Sequence, residues 1–348
     1  MKKRVFLVVV ALPGLLAVAI ASAAAEPKSA AEAYEKGKSY FDKGDFDAAI
    51  VAYTEAIRLD PKLTGGYYGR GTAYCNKREY DKAIADLTDA IRLNPEDAKA
   101  YNNRGAANGS KGKYDKAIAD YTRAIRINPK FIRAYCNRGD AYSQKGDNDK
   151  AIADYLQAIS LDPKCTIAYC GLGMAYEDKG EHQKAITEYC EAIRLESKDA
   201  SVYYNRGIAY GNNGEHDKAL ADFSEAIRLN PKHADAYNDR GFAYTNQGER
   251  DKAIADYSEA IRLNPNHADA YCDRGDAYSN QGERDKAIAD YSEAIRVNPK
   301  FASAYYNRGL AYEKEREYDK AVADSTEAIR LMATGLSGQF RNVTSLAT

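Results

Sequence analysis

Four histidines, six cysteines and 51 acidic residues are the side chains of this 348-residue chain able to hold a metal, attack an electrophile or move a proton. His182 and His216 lie 34 residues apart, and each follows a glutamate, Glu181 and Glu215. Two imidazoles and two carboxylates make a metal site if they fold onto one another. The same residues in two like segments read more simply as two exposed turns. His233 and His267 are also 34 apart and fall between segments. No GxSxG, HExxH or phosphate loop occurs. The carboxylates recur at a fixed interval. A general acid and base need two environments pushed apart, and strict repetition makes none. The chain is therefore expected to act without catalysis, metal or cofactor.

The cysteines are Cys75, Cys136, Cys165, Cys170, Cys190 and Cys272. Their even number permits disulfides, but the spacings form no framework. No CxxC pair marks a zinc or redox site. Four of the six fall between Cys136 and Cys190, where one disulfide and simple apolar filling are both open readings.

The elements that carry these groups repeat. Gly37, Gly71, Gly105, Gly139, Gly173, Gly207, Gly241, Gly275 and Gly309 fall on one 34-residue grid, as do nine alanines from Ala49 to Ala321 and seven prolines from Pro61 to Pro299. Nine copies start near residues 30, 64, 98, 132, 166, 200, 234, 268 and 302, and positions below are numbered 1 to 34 within each. Positions 4, 8 and 11 (Tyr237, Gly241 and Tyr244 in the seventh copy) share one face of a first helix. The glycine lets a second helix approach, at a propensity cost of about 1 kcal/mol relative to alanine. Ala253, Ile254, Tyr257, Ala260 and Ile261 form a broad apolar stripe on that second helix, and Pro265 ends it.

An aromatic at position 4, glycine at 8, tyrosine at 11, alanine at 20 and 27, an aromatic at 24 and proline at 32 resemble the tetratricopeptide repeat. The resemblance implies an all-α fold, a right-handed superhelical solenoid of helix-turn-helix hairpins whose first helices line a concave groove. Residues 26–335 are read as this solenoid. Two departures stand out. Asn108-Gly109-Ser110 replaces the tyrosine-containing end of the third copy's first helix, where a frayed or bent helix is expected. Ser325 replaces the aromatic in the ninth copy, where a polar terminal face is expected. The segment 336–348 has weak periodicity and is expected to be a disordered tail.

Position 7 is arginine in seven copies and position 23 is acidic in eight. They are expected to pair in a ladder of charge-assisted hydrogen bonds between helices. The first copy, with Lys36 and Ala52, should lack the pair.

Copies seven and eight are near-twins. Residues 234–265 and 268–299 differ only as Asn238/Cys272, Phe242/Asp276, Thr245/Ser279 and Leu263/Val297. The first three pairs occupy positions 5, 9 and 12, one face of the first helix. In the family resembled, that face lines the groove, with positions 2, 6 and 13 beside it, so the twins are expected to differ where a ligand touches. At these six positions copies five to nine supply Glu177, Asp178, Asp235, Asp239, Asp269, Asp273, Asp276 and Glu313 against Lys314 alone. Met174, Ile208, Phe242 and Leu310 add an apolar row at position 9. Asn205 and Asn307 add amides able to bond a peptide backbone. An apolar floor with an acidic rim suits a basic, amphipathic protein or peptide segment. The family's clamp for a terminal carboxylate has only a weak counterpart, in Lys99, Asn103, Arg133 and Asn137. A spacer or self-assembling subunit is the alternative.

Net charge is −1, which gives no reason to expect nucleic acid as a partner. Residues 1–25 read as an export signal: Lys2, Lys3 and Arg4 precede an apolar run from Val5 to Ile20, and small residues offer cleavage after Ala23 or Ala25. Pro13 and Gly14 in a short run speak against a membrane span; a chain tethered by that run uncut is the alternative. Cleavage leaves 47 basic and 51 acidic residues, a net of −4, on a periplasmic or secreted protein.

Overall fold

The computed structural model describes residues 29–195 and 198–333. The expectations for residues 1–25 and 336–348 lie outside the described residues. The chain divides into two compact units, residues 1–113 and 114–348. The first unit holds α1 (Ala30–Asp42), α2 (Phe46–Leu59), α3 (Thr64–Asn76), α4 (Tyr80–Leu93) and α5 (Ala98–Ser110). The second begins with α6 (Tyr114–Ile127), α7 (Ile132–Ser143), α8 (Asn148–Leu161), α9 (Thr166–Asp178), α10 (His182–Arg194), α11 (Ala200–Asn212) and α12 (His216–Leu229). It continues with α13 (Ala234–Asn246), α14 (Arg250–Leu263), α15 (Ala268–Gln281), α16 (Arg284–Val297), α17 (Ala302–Lys314) and α18 (Tyr318–Ala333). No strand occurs among the described residues. Within each unit the helices stack in chain order as hairpins, an all-α repeat solenoid. First helices of successive copies also touch one another, α7 with α9, α13 with α15 and α15 with α17.

The hairpin turn needs a left-handed residue at position 15. Gly248 supplies it with φ 77°, and the Glu249 N–H donates back to the Tyr244 carbonyl to close the helix end. Arg78 and Arg316 take the same conformation at φ 60° and 65° without glycine's freedom.

The hairpin closes on small residues. A Cβ added to Gly275 would sit 2.7 Å from Cε1 of Tyr291, so only glycine at position 8 lets the position-24 ring lie flat against the first helix. Alanines 287 and 294 and Tyr291 are fully buried with it. Between copies, Ile288 and Ile295 at positions 21 and 28 pack with Ala304 and Ala311 at positions 3 and 10 of the next copy. The first copy places Glu32 and Ser39 at positions 3 and 10, so its outer face is polar.

Two expectations are corrected here. Helix α5 runs unbroken through Asn108 and Gly109 to Ser110, with Asn108 buried; packing against α4 outweighs the poor local propensity. The terminal face of α18 is not polar. Tyr318, Val322 and Ile329 are 60%, 65% and 65% exposed, because positions 21 and 28 keep the side chains that bury against a following copy.

Candidate functional site

The arginine ladder is present wherever both partners share a copy and a unit. Arg70, Arg138, Arg206, Arg240, Arg274 and Arg308 each make a two-pronged pair with Asp86, Asp154, Asp222, Asp256, Asp290 and Asp324. In the eighth copy Arg274 Nε and Nη2 each donate at 2.8 Å to the two carboxylate oxygens of Asp290. The remaining Nη1 reaches the preceding copy, donating to Ser258 Oγ at 3.0 Å. The guanidinium also lies over the Tyr271 and Tyr278 rings. One side chain thus joins three helices, with three of its five N–H donors bonded within the protein. The ladder is a structural pairing between helices. In copy five Leu172 stands where the arginine would, and burial pushes the Glu188 carboxyl up.

The first-helix face of the second unit carries the exposed apolar groups. Met174, Phe242 and Leu310 are 51%, 41% and 41% exposed, and Ile208 is half-buried. Between α11, α12 and α13 lies a cleft of about 590 Å³, lined by Tyr204, Ile208, Asn212, His216, Phe223, Asp239, Phe242 and Asn246. Ile208, Asp239 and Phe242 come together there as candidate residues. Tyr204, Asn212 and Asn246 occupy positions 5 and 13 of the expected groove face, though none is a named candidate, and His216 reads from the sequence only as a turn residue or metal ligand. Position 17 joins positions 5 and 13 because they converge where one copy's first helix meets the next.

The acids stand around this face in differing states. Asp235 and Asp269 are exposed, while Asp239 and Asp273 are half-buried. Tyr204 donates its hydroxyl to Asp239 at 2.8 Å, and Asn238 donates Nδ2 to Asp273 at 3.2 Å. His267 Nδ1 accepts from the Ala270 N–H at 3.2 Å, and Nε2 lies 3.2 Å from Asp235 Oδ1 without hydrogen-bond alignment. These donors to Asp239 and Asp273, a phenol and an amide, are themselves neutral. Asp276 and Asn307 are bonded to each other: Asn307 Nδ2 donates to Asp276 Oδ1 at 2.8 Å, and the Tyr291 hydroxyl donates to the same oxygen at 2.6 Å. Burial pushes the Asp276 carboxyl up to about 6, partly opposed by these two bonds. Asn205 is half-buried on α11.

The near-twin differences have a different cause from the one expected. Position 5 is not exposed: Asn238 and Cys272 are 1% and 4% exposed. Positions 9 and 12 together satisfy the buried phenol at position 24. In copy eight Asp276 accepts from Tyr291. In copy seven, where position 9 is Phe242, the Tyr257 hydroxyl meets Thr245 Oγ1 at 3.1 Å instead. Thr245 spends its own proton on the Gly241 carbonyl, so it accepts from the tyrosine. Copy four repeats the aspartate solution, Tyr155 donating to Asp140 at 2.6 Å. A buried hydroxyl left unpaired costs about 1–3 kcal/mol, which couples the two positions through packing. Only the change at position 9 alters what faces outward.

The histidines do not gather into a metal site. His182 Nδ1 lies 2.9 Å from Glu177 Oε1, and no cluster of three or more potential ligands with metal-binding geometry occurs among the described residues.

Comparison with known proteins places the fold. The description "TPR repeat" matches residues 37–77, 71–112, 109–146, 139–180, 175–214, 243–282 and 275–315. "Tetratricopeptide repeat" matches residues 200–233, 223–255 and 302–331. The chain belongs to the tetratricopeptide repeat family and is a helical-repeat scaffold. A tetratricopeptide repeat protein from Parabacteroides merdae shares the fold at 23% identity and TM-score 0.57, over 68% of this chain and 94% of that one. MamA is similar at 34% identity and TM-score 0.43, over 46% of this chain and 94% of its own. YrrB, described as a TPR protein with an unusual peptide-binding site, is similar at 27% identity and TM-score 0.45, over 53% and 95%. No curated protein matches the sequence.

Proposed function

We propose that this protein is an exported scaffold that binds a basic, amphipathic segment of another protein on the first-helix face of its second unit. The observation that carries the reading is the cleft between α11 and α13. Its walls set the exposed Phe242 and the half-buried Ile208 beside the carboxylate of Asp239. An apolar side chain entering this cleft leaves water, and a lysine or arginine on the same segment meets Asp239, with Asp235, Asp269 and Asp273 beyond it. Burial of one such side chain supplies about 1.5–3 kcal/mol. The acidic rim adds association rate and selectivity, weakening as salt screens it. Binding is reversible and needs no chemistry. Export rests on residues 1–25 alone and is tested by the mass of the mature N-terminus.

The test uses the full chain with two synthetic helical peptides, one of leucine and lysine and one of leucine and glutamate. Calorimetry is run at low and high salt. The lysine peptide should bind, weaken with salt, and lose affinity to a Phe242→Ala, Asp239→Asn variant. Asparagine keeps an acceptor for the Tyr204 hydroxyl, so the variant should fold. Asp285→Asn, at the start of α16, should bind as the unaltered chain does. Equal binding of both peptides, or an unchanged affinity in the double variant, sinks the reading and leaves the spacer alternative in front.

A further inference from the structure

Copies four, six and eight each bring position 5 of the first helix against position 34, the last residue before the next copy begins. The sixth copy stacks Tyr204 on His233 with ring centroids 4.6 Å apart. In the eighth copy Cys272 and Phe301 belong to one buried cluster. In the fourth copy the same two positions are Cys136 and Cys165, packed together with Ala158 and Ala168. Cys136 is 3% exposed and Cys165 half-buried, and both are free thiols. The repeat therefore delivers two thiols to a contact that elsewhere holds two packed side chains.

We propose that Cys136 and Cys165 form a disulfide when the protein meets a disulfide oxidant. The bond ties α7 to the turn before α9 and closes residues 137–164 into a covalent loop around α8. It turns the junction between copies four and five from a packed contact into a fixed one.

With oxidised glutathione as oxidant the chemistry balances in two exchanges. The more accessible Cys165 thiolate attacks one glutathione sulfur and releases a glutathione thiolate, leaving a mixed disulfide. The Cys136 thiolate then attacks the Cys165 sulfur and releases the second glutathione. Two protein thiols and one oxidised glutathione become one protein disulfide and two reduced glutathiones. Burial pushes the Cys136 thiol up, with the neighbouring Cys165 adding to it, so the second exchange is the slow one and quickens with rising pH.

The remaining cysteines are placed differently. Cys190 Sγ accepts from Arg206 Nη1 at 3.3 Å. Cys272 faces Phe301 at position 34. Cys170 lies in α9, five residues beyond Cys165, and is the competitor for it.

The experiment incubates the full chain with oxidised glutathione, then denatures it and counts thiols by alkylation and mass spectrometry. Four thiols should remain of the six, with a cross-linked peptide joining the segments of Cys136 and Cys165. Cys136→Ala should stop at a single glutathione adduct on Cys165. Cys170→Ser should still form the cross-link, and the oxidised chain should melt above the reduced one. Six surviving thiols overturn the proposal. So does a cross-link that Cys170→Ser abolishes and Cys136→Ala leaves intact. Circular dichroism checks that each variant folds, and the peptide map of the unaltered chain decides the matter if one does not.

Discussion

Asp276 gives the sharpest test of how the repeat handles a buried charge. Its carboxyl stands at about 6, raised from 3.8 chiefly by burial. That difference of roughly 2 pH units is worth about 3 kcal/mol. The folded state holds the proton more tightly than the unfolded one. Below about pH 4 both states are protonated and the group costs nothing. As pH rises through the interval to about 6 the unfolded chain ionises first, and the cost grows to its full value. Asp276→Asn removes this dependence, and Oδ1 can still accept from the Tyr291 hydroxyl. The variant should therefore match the unaltered chain near pH 4 and exceed it by up to about 3 kcal/mol at pH 7.5. A repeat array opens locally, copy by copy, so the assay is hydrogen exchange of α15 and α16 across that pH range. Protection that differs equally at both ends, or not at all, would refute the assignment of the raised carboxyl to Asp276.

Other substitutions probe the scaffold. Gly275→Ala drives a methyl into the Tyr291 ring and should destabilise copy eight by about 1–3 kcal/mol, read by urea denaturation. Arg274→Ala strands the buried Asp290 carboxylate and should cost about 3 kcal/mol or more; an unchanged melting curve would deny the ladder its structural role. Arg78→Gly should raise stability by about 1 kcal/mol, because the left-handed turn at φ 60° suits glycine, and thermal melting reads the gain.

Much of the scaffold was legible before any coordinates. Both helices of every copy lie where the glycine, alanine and proline grid places them, and the ladder joins the residues expected of it. The candidate site was less legible. Phe242 is exposed as expected, yet Asn238 and Cys272 on the same nominal face are buried, Cys272 packed with Phe301 at position 34 and Asn238 bonded to Asp273 of the next copy. Asp276 and Asn307, separate candidates by sequence, are bonded to each other across two copies. Asn108 and Gly109 suggested a broken helix, and stacking on α4 keeps it whole.

The sequence by itself determined the period, the paired helices, the glycine against the position-24 ring and the partners in the arginine ladder. These depend on residues at set spacings in one copy, and helical geometry converts such spacings into shared faces. Only the tertiary structure decided which outward positions are covered, which acids already have donors, where a cleft opens between α11 and α13, and which cysteine lies against which. Those outcomes depend on the side chain that an adjacent copy or turn brings in. A contact between two elements follows their packing, and no spacing along one helix encodes it.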